Sequence, residues 1–433
     1  MRLADIFSDH MVLQRDMPIC IYGTGTGTGS ITFCGETVDF TITKEVFRVM
    51  LSPQPAGGPH DMTVTLNGET TVIHDILMGD VYIAGGQSNM EFRMLRATDM
   101  QGEDLPQVRF FKEPHNIDDS GVISIDGFIG WRVCTPESAA DFTAIGGQFA
   151  MDMYHYTGVP VGVLSCSKGA SCIESWTDPK VTEAEAYRQW MAVPHYDYDH
   201  CGGNHDNWLF LNKLLNLIPY GISGALWYQG ESDRNPETAQ NYDKMLEAMI
   251  GSWRKLWGYN FPFYLVQLMP FNEGVNADWA TIRAKQEKVC RTGDNIYLTT
   301  LVDTQEIHDI HPPRKRVTAG ALANAVKRVQ FGADVEYCGP VLATHTVNGN
   351  TAALTFCHAD GLCIKGDTLT DTFVLDAEGV EHPVTASLQG NTLTLTWDAT
   401  LQPVAITMGY RNAPEHNLYN AAGYWASPFK VAL

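Results

Sequence analysis

Six short apolar runs set the tightest limit on how this chain folds. VYIAGG (81–86), VRFFK (108–112), VGVLSCS (161–167), ISGALWYQG (222–230), FYLVQLM (263–269) and IYLTTLV (296–302) read as buried strands. Between them Tyr242, Leu246, Met249, Trp253 and Leu256 recur at helical spacing, as do Val317, Leu322, Ala325, Val326 and Val329. Strands separated by helices form a parallel sheet with helices on both faces. The two ends of the chain have a different texture. From Pro18 to Ser52 β-branched and polar residues alternate around GTGTGTG (23–29). Those glycines mark turns rather than a phosphate cradle, because ITFCGETVDF follows as a strand where a phosphate loop needs a helix. Beyond Phe331, TAALTF, LCIKG, TDTFVL and TLTLTW again alternate apolar and polar residues. The expectation is an α/β chain: a β-rich segment 1–75, a sheet-and-helix domain 76–330, and a β-rich domain 331–433.

Charge narrows the partners. Against 29 Lys and Arg stand 50 Asp and Glu, a net charge of −21 over 433 residues. Such a surface repels phosphate backbones and anionic lipid, so neither nucleic acid nor membrane is expected as a partner. A homo-oligomer is compatible with the sequence. No basic stretch followed by an apolar run opens the chain, and the ten cysteines show no CxxC pair. They read as reduced thiols of a cytoplasmic protein, or of a secreted one if a leader has been trimmed.

In doubly wound sheets, ligands bind beyond the carboxyl ends of the strands. Ser88 follows the strand at 81–86 within AGGQSNM, with Asn89 beside it. It is a candidate nucleophile or, more simply, the cap of the next helix. Gly169 follows the third strand in SCSKGAS. Gln229, Glu231 and Asp233 follow the fourth in WYQGESD. Gln229 and Glu231 fit either a reacting site or a buried hydrogen-bonded pair that supports the loops. Asp303, Glu306, His308, Asp309 and His311 follow the last strand in LVDTQEIHDIHPPRK, where Pro312 and Pro313 could start a helix. Nucleophile, base, acid and amide donors at one sheet edge are the set that acyl transfer needs.

GGQSNM, WYQGESD and DIHPPRK resemble the signature blocks of the sialate O-acetylesterase family, within the SGNH-hydrolase superfamily. SDHMVLQRDMP, ILMGDVYIAGGQSNMEF, CIESW and LYNAAGYWASPF extend the likeness over nearly the whole chain. The resemblance implies a flavodoxin-like, three-layer α/β/α esterase domain with accessory β structure from both termini. It implies removal of O-acetyl groups from sialic acid without metal or organic cofactor. Ser88 would be the nucleophile and His311 the general base. Ser88 N–H, Gly169 N–H and the Gln229 amide would form the oxyanion hole, and Asn89 and Glu231 would contact the O-acetylated sugar. The superfamily usually carries Asn where this chain has Gln229, while the sialate branch has the longer amide. Two departures stand out. Ala170 replaces the second of a usual glycine pair, and His308 occupies the place of the acid three residues before the catalytic histidine. Asp309 is therefore the expected orienting acid, with Asp303 and Glu231 as alternatives.

Two further groupings remain. HYDYDHCGGNHDNW places His195, Asp197, Asp199, His200, Cys201, His205 and Asp206 close together, but in no common zinc spacing. No metal is expected there; the loop, with Trp190, Tyr196, Tyr198 and Trp208, reads as a wall of the sugar pocket. Arg93, Arg96, Arg314, Lys315 and Arg316 flank the two catalytic blocks, and could hold a carboxylate or pair on helix faces. The alternatives to a sialate esterase are an acetylesterase of xylan- or xyloglucan-type oligosaccharides and a non-catalytic carbohydrate-binding protein.

Overall fold

The computed structural model describes residues 2–112, 130–191, 206–274, 276–300 and 306–433, and the backbone of 116–117 and 123–124. Its centre is a sheet of seven strands, here β1 Glu69–Gly86, β2 Leu105–Lys112, β3 Gly130–Cys134, β4 Val161–Ser167, β5 Gly224–Tyr228, β6 Phe263–Val266 and β7 Ile296–Thr299. They lie in the order β3-β2-β4-β1-β5-β6-β7. β3 runs antiparallel to β2, and every other neighbouring pair is parallel. The four residues of β6 and the five of β5 are all buried, as strands covered on both faces must be.

Helices cover both faces. They are α1 Ser88–Glu91, α2 Ala144–Thr157, α3 Tyr242–Trp257, α4 Trp279–Thr292 and α5 Arg316–Phe331. Consecutive residues of one strand show the division. Phe263 packs on Trp253 of α3, while Tyr264 turns to the opposite face, toward Gln330 of α5. Tyr82 of β1 likewise meets Phe149 of α2 edge-on and donates its hydroxyl to Gln330 at 2.8 Å. The architecture is α/β.

The amino-terminal strands belong to the same body. β1 is 18 residues long. Its first half pairs with Gly57–Leu66 and its second half lies in the parallel sheet. Between Ile73 and Ile76 the register slips, and Asp75 takes φ +55°. The change of sequence texture at 75/76 is thus a bulge inside one strand. A single apolar core runs from Ile6 to Cys338. A second, between Ala352 and Ala426, fills the antiparallel carboxyl-terminal strands.

Candidate active site

Three strand ends meet at one level. Gly86, the last residue of β1, is paired with Ser167 on β4 and Tyr228 on β5. β1 is the switch point of the sheet, since β4 and β2 lie to one side and β5 to β7 to the other. The chain turns sharply here. Gly86 has φ +129°, and a Cβ would stand 2.1 Å from the Tyr228 carbonyl oxygen, so only glycine fits. The Gln87 N–H donates to that same carbonyl at 2.9 Å, and the Lys168 N–H donates to the Gly86 carbonyl at 3.0 Å. The Gln87 side-chain oxygen accepts from the Ser232 N–H at 3.2 Å. Ser88 then opens α1 from a rigid turn.

Ser88 and His311 line one cavity of about 680 Å³, together with Glu91, Arg93, Arg96, Lys112, Asp141, Ser167 and Lys213. Both are half-buried. Among the described residues no hydrogen bond joins the Ser88 hydroxyl to the His311 ring, a contact that often tightens only when substrate is bound. Burial, the Lys315 ammonium and Arg96 hold His311 below its ordinary 6.5, against the opposing pull of Asp309. These effects favour the neutral form of the ring. Asp309 is exposed, and its carboxylate accepts from the backbone N–H of His311 at 2.8 Å. His308 is exposed, and Asp303 lies outside the described residues. α5 begins at Arg316, so Pro312 and Pro313 precede the helix instead of starting it.

The expected oxyanion donors are differently engaged. Gly169 lies against Ser88: a Cβ there would be 3.6 Å from Ser88 Cβ. Its N–H donates to Glu91 Oε2 at 2.6 Å. Ala170 follows at φ +57°, the left-handed region that suits the glycine it replaces. Gln229 is fully buried and does not line the cavity. Its amide nitrogen donates to the Ser171 carbonyl at 2.9 Å and to Asp233, and its oxygen accepts from the Tyr242 hydroxyl at 2.9 Å. In this conformation it braces the loops under the site.

Asn89 and Glu231, expected against the sugar, are instead 0% and 1% exposed and lie off the cavity wall. Asn89 Nδ2 donates to Glu231 Oε1 at 2.7 Å and to the Ile310 carbonyl at 3.0 Å. Its oxygen accepts from Lys315 Nζ at 2.6 Å. Burial pushes Glu231 up to about 7, against the opposing effects of Asn89, Lys315 and Arg234. Burial also pushes Lys315 down to about 8, against the pull of Glu231 and nearby acids. Asp233 is likewise raised by burial to about 7. The buried Lys315 and the role of Glu91 were not distinguishable in the sequence, because neither periodicity nor spacing says which way a side chain points.

Three of the five flanking cations are paired: Arg93 with Asp141 at 2.8 Å, Arg314 with Glu306 at 3.4 Å, and Arg316 with Asp152 at 2.8 Å. Arg96 lies 4.8 Å from the Phe92 ring and makes no ion pair among the described residues. Residues 195–205 of the His- and Asp-rich loop lie outside the described residues, while Asp206 is exposed. Neither Trp190 nor Trp208 lines the cavity. Among the described residues no group of three or more His, Cys, Asp or Glu could hold a metal, and every described cysteine is a free thiol. No helix among them is long and apolar enough to cross a membrane.

Known proteins resemble this chain in sequence and in fold. The family described as carbohydrate esterase, sialic acid-specific acetylesterase, matches residues 78–321. Sialate O-acetylesterase of Homo sapiens is 26% identical over 305 residues, 62% of this chain and 57% of that protein. The match thus spans little more than half of the human relative. The Rattus norvegicus sialate O-acetylesterase is 24% identical over 410 residues, covering 78% of this chain and 76% of its own. The crystal structure of a carbohydrate acetylesterase from Xanthomonas citri superposes with a TM-score of 0.87 at 28% identity, covering 99% of both chains. The family match covers more than half of the sequence, including the Ser88 turn and His311: this chain belongs to the sialic acid-specific acetylesterase family of carbohydrate esterases.

Proposed function

We propose that the protein is a carbohydrate O-acetylesterase of SGNH-hydrolase type that works through a serine acyl-enzyme. The observation that carries this is Ser88 and His311 on the wall of one cavity, at the switch point of a parallel sheet. Ser88 Oγ attacks the acetyl carbonyl and His311 takes its proton. The C–O bond to the sugar breaks, and the histidine returns the proton to the leaving sugar oxygen. Water, deprotonated by the same ring, then releases acetate from Ser88. The Ser88 and Gly169 N–H groups are the proposed oxyanion donors, the latter once Glu91 withdraws. Asp309 is the proposed orienting acid.

The proposed substrate is O-acetylated sialic acid. Arg93, Arg96, Lys112 and Lys213 outnumber Glu91 and Asp141 around the cavity, a local reversal of the −21 on the whole chain. Arg96, free of an ion pair among the described residues, is suited to a carboxylate. The whole-protein charge favours a second reading, a neutral acetylated oligosaccharide of xylan or xyloglucan type, because its field opposes an anion. Acetate release from O-acetylated sialic acids, acetylated xylo-oligosaccharides and an aryl acetate separates the two. Preference for the sialic acids supports the first reading, and activity confined to the neutral sugars removes it. Inactivity on all three favours the reading as a non-catalytic carbohydrate-binding protein.

A further inference from the structure

Asn89 is bonded on three sides, and each bond leads to a different part of the site. It directly follows Ser88 in sequence. Its Nδ2 holds the carbonyl of Ile310, which directly precedes His311, at 3.0 Å. Its other partners are Glu231, beyond the end of β5, and Lys315, the residue before α5. One amide therefore ties the nucleophile turn to the base segment through residues adjacent to both.

The two outer members are expensive to bury. Lys315 is 2% exposed, with its ammonium on the Asn89 oxygen and 4.9 Å from the Phe92 ring. Glu231 is 1% exposed, and its Oε2 has no hydrogen-bond partner among the described residues. An apolar side chain of similar volume would fill either place at less cost, so packing alone does not account for the pair. The charges around them are unequally distributed. Lys315 is faced by Glu231, Asp309, Glu306 and Asp99. His311 is faced by Lys315, Arg96 and Asp309, with Glu91, Arg93, Asp141, Lys112 and Lys213 on the same cavity wall. Lys315 is the buried cation among those that bear directly on the ring.

We propose that Lys315, Asn89 and Glu231 are positioning residues that lock the His311 segment onto the Ser88 turn. This rests on the reading of His311 as the base. The amide fixes where the ring stands, and the ammonium disfavours a second positive charge beside it. Neither Lys315 nor Glu231 touches substrate in this arrangement.

The test uses the full chain and an aryl acetate, with kcat and KM measured across pH, and near-ultraviolet circular dichroism to quantify folded protein. Lys315→Met removes the charge at similar length, and Asn89→Ala removes the tie. Both are expected to lower kcat about tenfold or more while KM stays within about twofold, because misplacing a base affects the reacting step. Lys315→Met also moves the acidic limb of kcat/KM to higher pH, since the histidine then keeps its proton longer. Glu231→Gln, which keeps an acceptor for Asn89, loses less than Glu231→Ala. Partial unfolding lowers the height of the profile without moving its limb. A kcat within about twofold of the parent in folded Asn89→Ala or in folded Lys315→Met overturns the proposal. Near-parental activity in His311→Ala is a separate outcome: it overturns the assignment of the base, and this proposal with it.

Discussion

Glu91 Oε2 accepts a hydrogen bond from the backbone N–H of Gly169 at 2.6 Å, so a carboxylate occupies the donor that faces Ser88, the proposed nucleophile. An anion at that spot opposes the negative charge that develops on the acetyl oxygen. At a separation of about 5 Å and an effective dielectric near 20, two unit charges repel by about 3 kcal/mol. Glu91 is exposed, so only part of that survives solvent screening. Glu91→Gln keeps an acceptor and removes the charge. It is expected to raise kcat/KM on an aryl acetate by about two- to tenfold. Initial-rate kinetics decide it, and a fall in kcat/KM would show that the carboxylate supports the loop instead.

Ala170 stands at φ +57°, where a side chain costs about 1 kcal/mol relative to glycine. Glycine gives part of that back as extra freedom in the unfolded chain. Ala170→Gly is therefore expected to stabilise the fold by about 0.5 kcal/mol, read as a higher midpoint in urea. Gly86→Ala is the opposite case. Its Cβ would meet the Tyr228 carbonyl oxygen at 2.1 Å, so the variant is expected to lose at least about 2 kcal/mol and to misplace Ser88. A Gly86→Ala protein with parental stability and rate would contradict the account of the turn.

Burial lifts Glu231 from 4.5 to about 7, so the folded state holds this proton over a pH range in which the unfolded chain has released it. Its contribution is fully present below pH 4.5 and is lost as pH rises through 7, by up to about 3 kcal/mol. Asp233 adds a change of the same sign, while Lys315 acts in the opposite sense above about pH 8, where its depressed value makes stability rise with pH. Glu231→Gln cannot ionise. Urea unfolding is expected to show the variant gaining stability on the parent between pH 5 and pH 8, by about 1–3 kcal/mol. Parallel pH curves for the two proteins would contradict the assignment.

His311 is held below 6.5 chiefly by burial, so it becomes a competent base at lower pH than a free histidine. The acidic limb of kcat/KM for an aryl acetate is expected to have its midpoint below 6.5, with activity rising as pH increases through it. A limb above that value would place another group in control.

The strands were legible because a strand buried on both faces is an unbroken apolar run, as in Phe263–Val266, and because the helix at Tyr242–Trp257 has one polar face. The helix at Ala144–Thr157 was not. It is buried along nearly three turns between sheet and α5, so AIGGQFAMDMYHYT lacks a polar stripe. At the site, position after a strand identified the residues but not the direction of their side chains. Gln229, Asn89 and Glu231 follow the right strands and point inward, into hydrogen bonds with one another's neighbours. The sequence reading of Gln229 and Glu231 as loop supports is the one their burial favours. The bulge at Asp75 was likewise hidden, because a register slip leaves no mark in composition.

The central claim is that Ser88 carries the acetyl group. The direct measurement is mass spectrometry of the protein quenched during turnover of an aryl acetate, with the modified peptide located, for the parent and for Ser88→Ala. The expected result is one acetyl group on the peptide containing Ser88 in the parent. Folded Ser88→Ala should carry none and should hydrolyse the ester no faster than buffer. Parental turnover by Ser88→Ala, or an acetyl group mapped to another residue, would contradict the account.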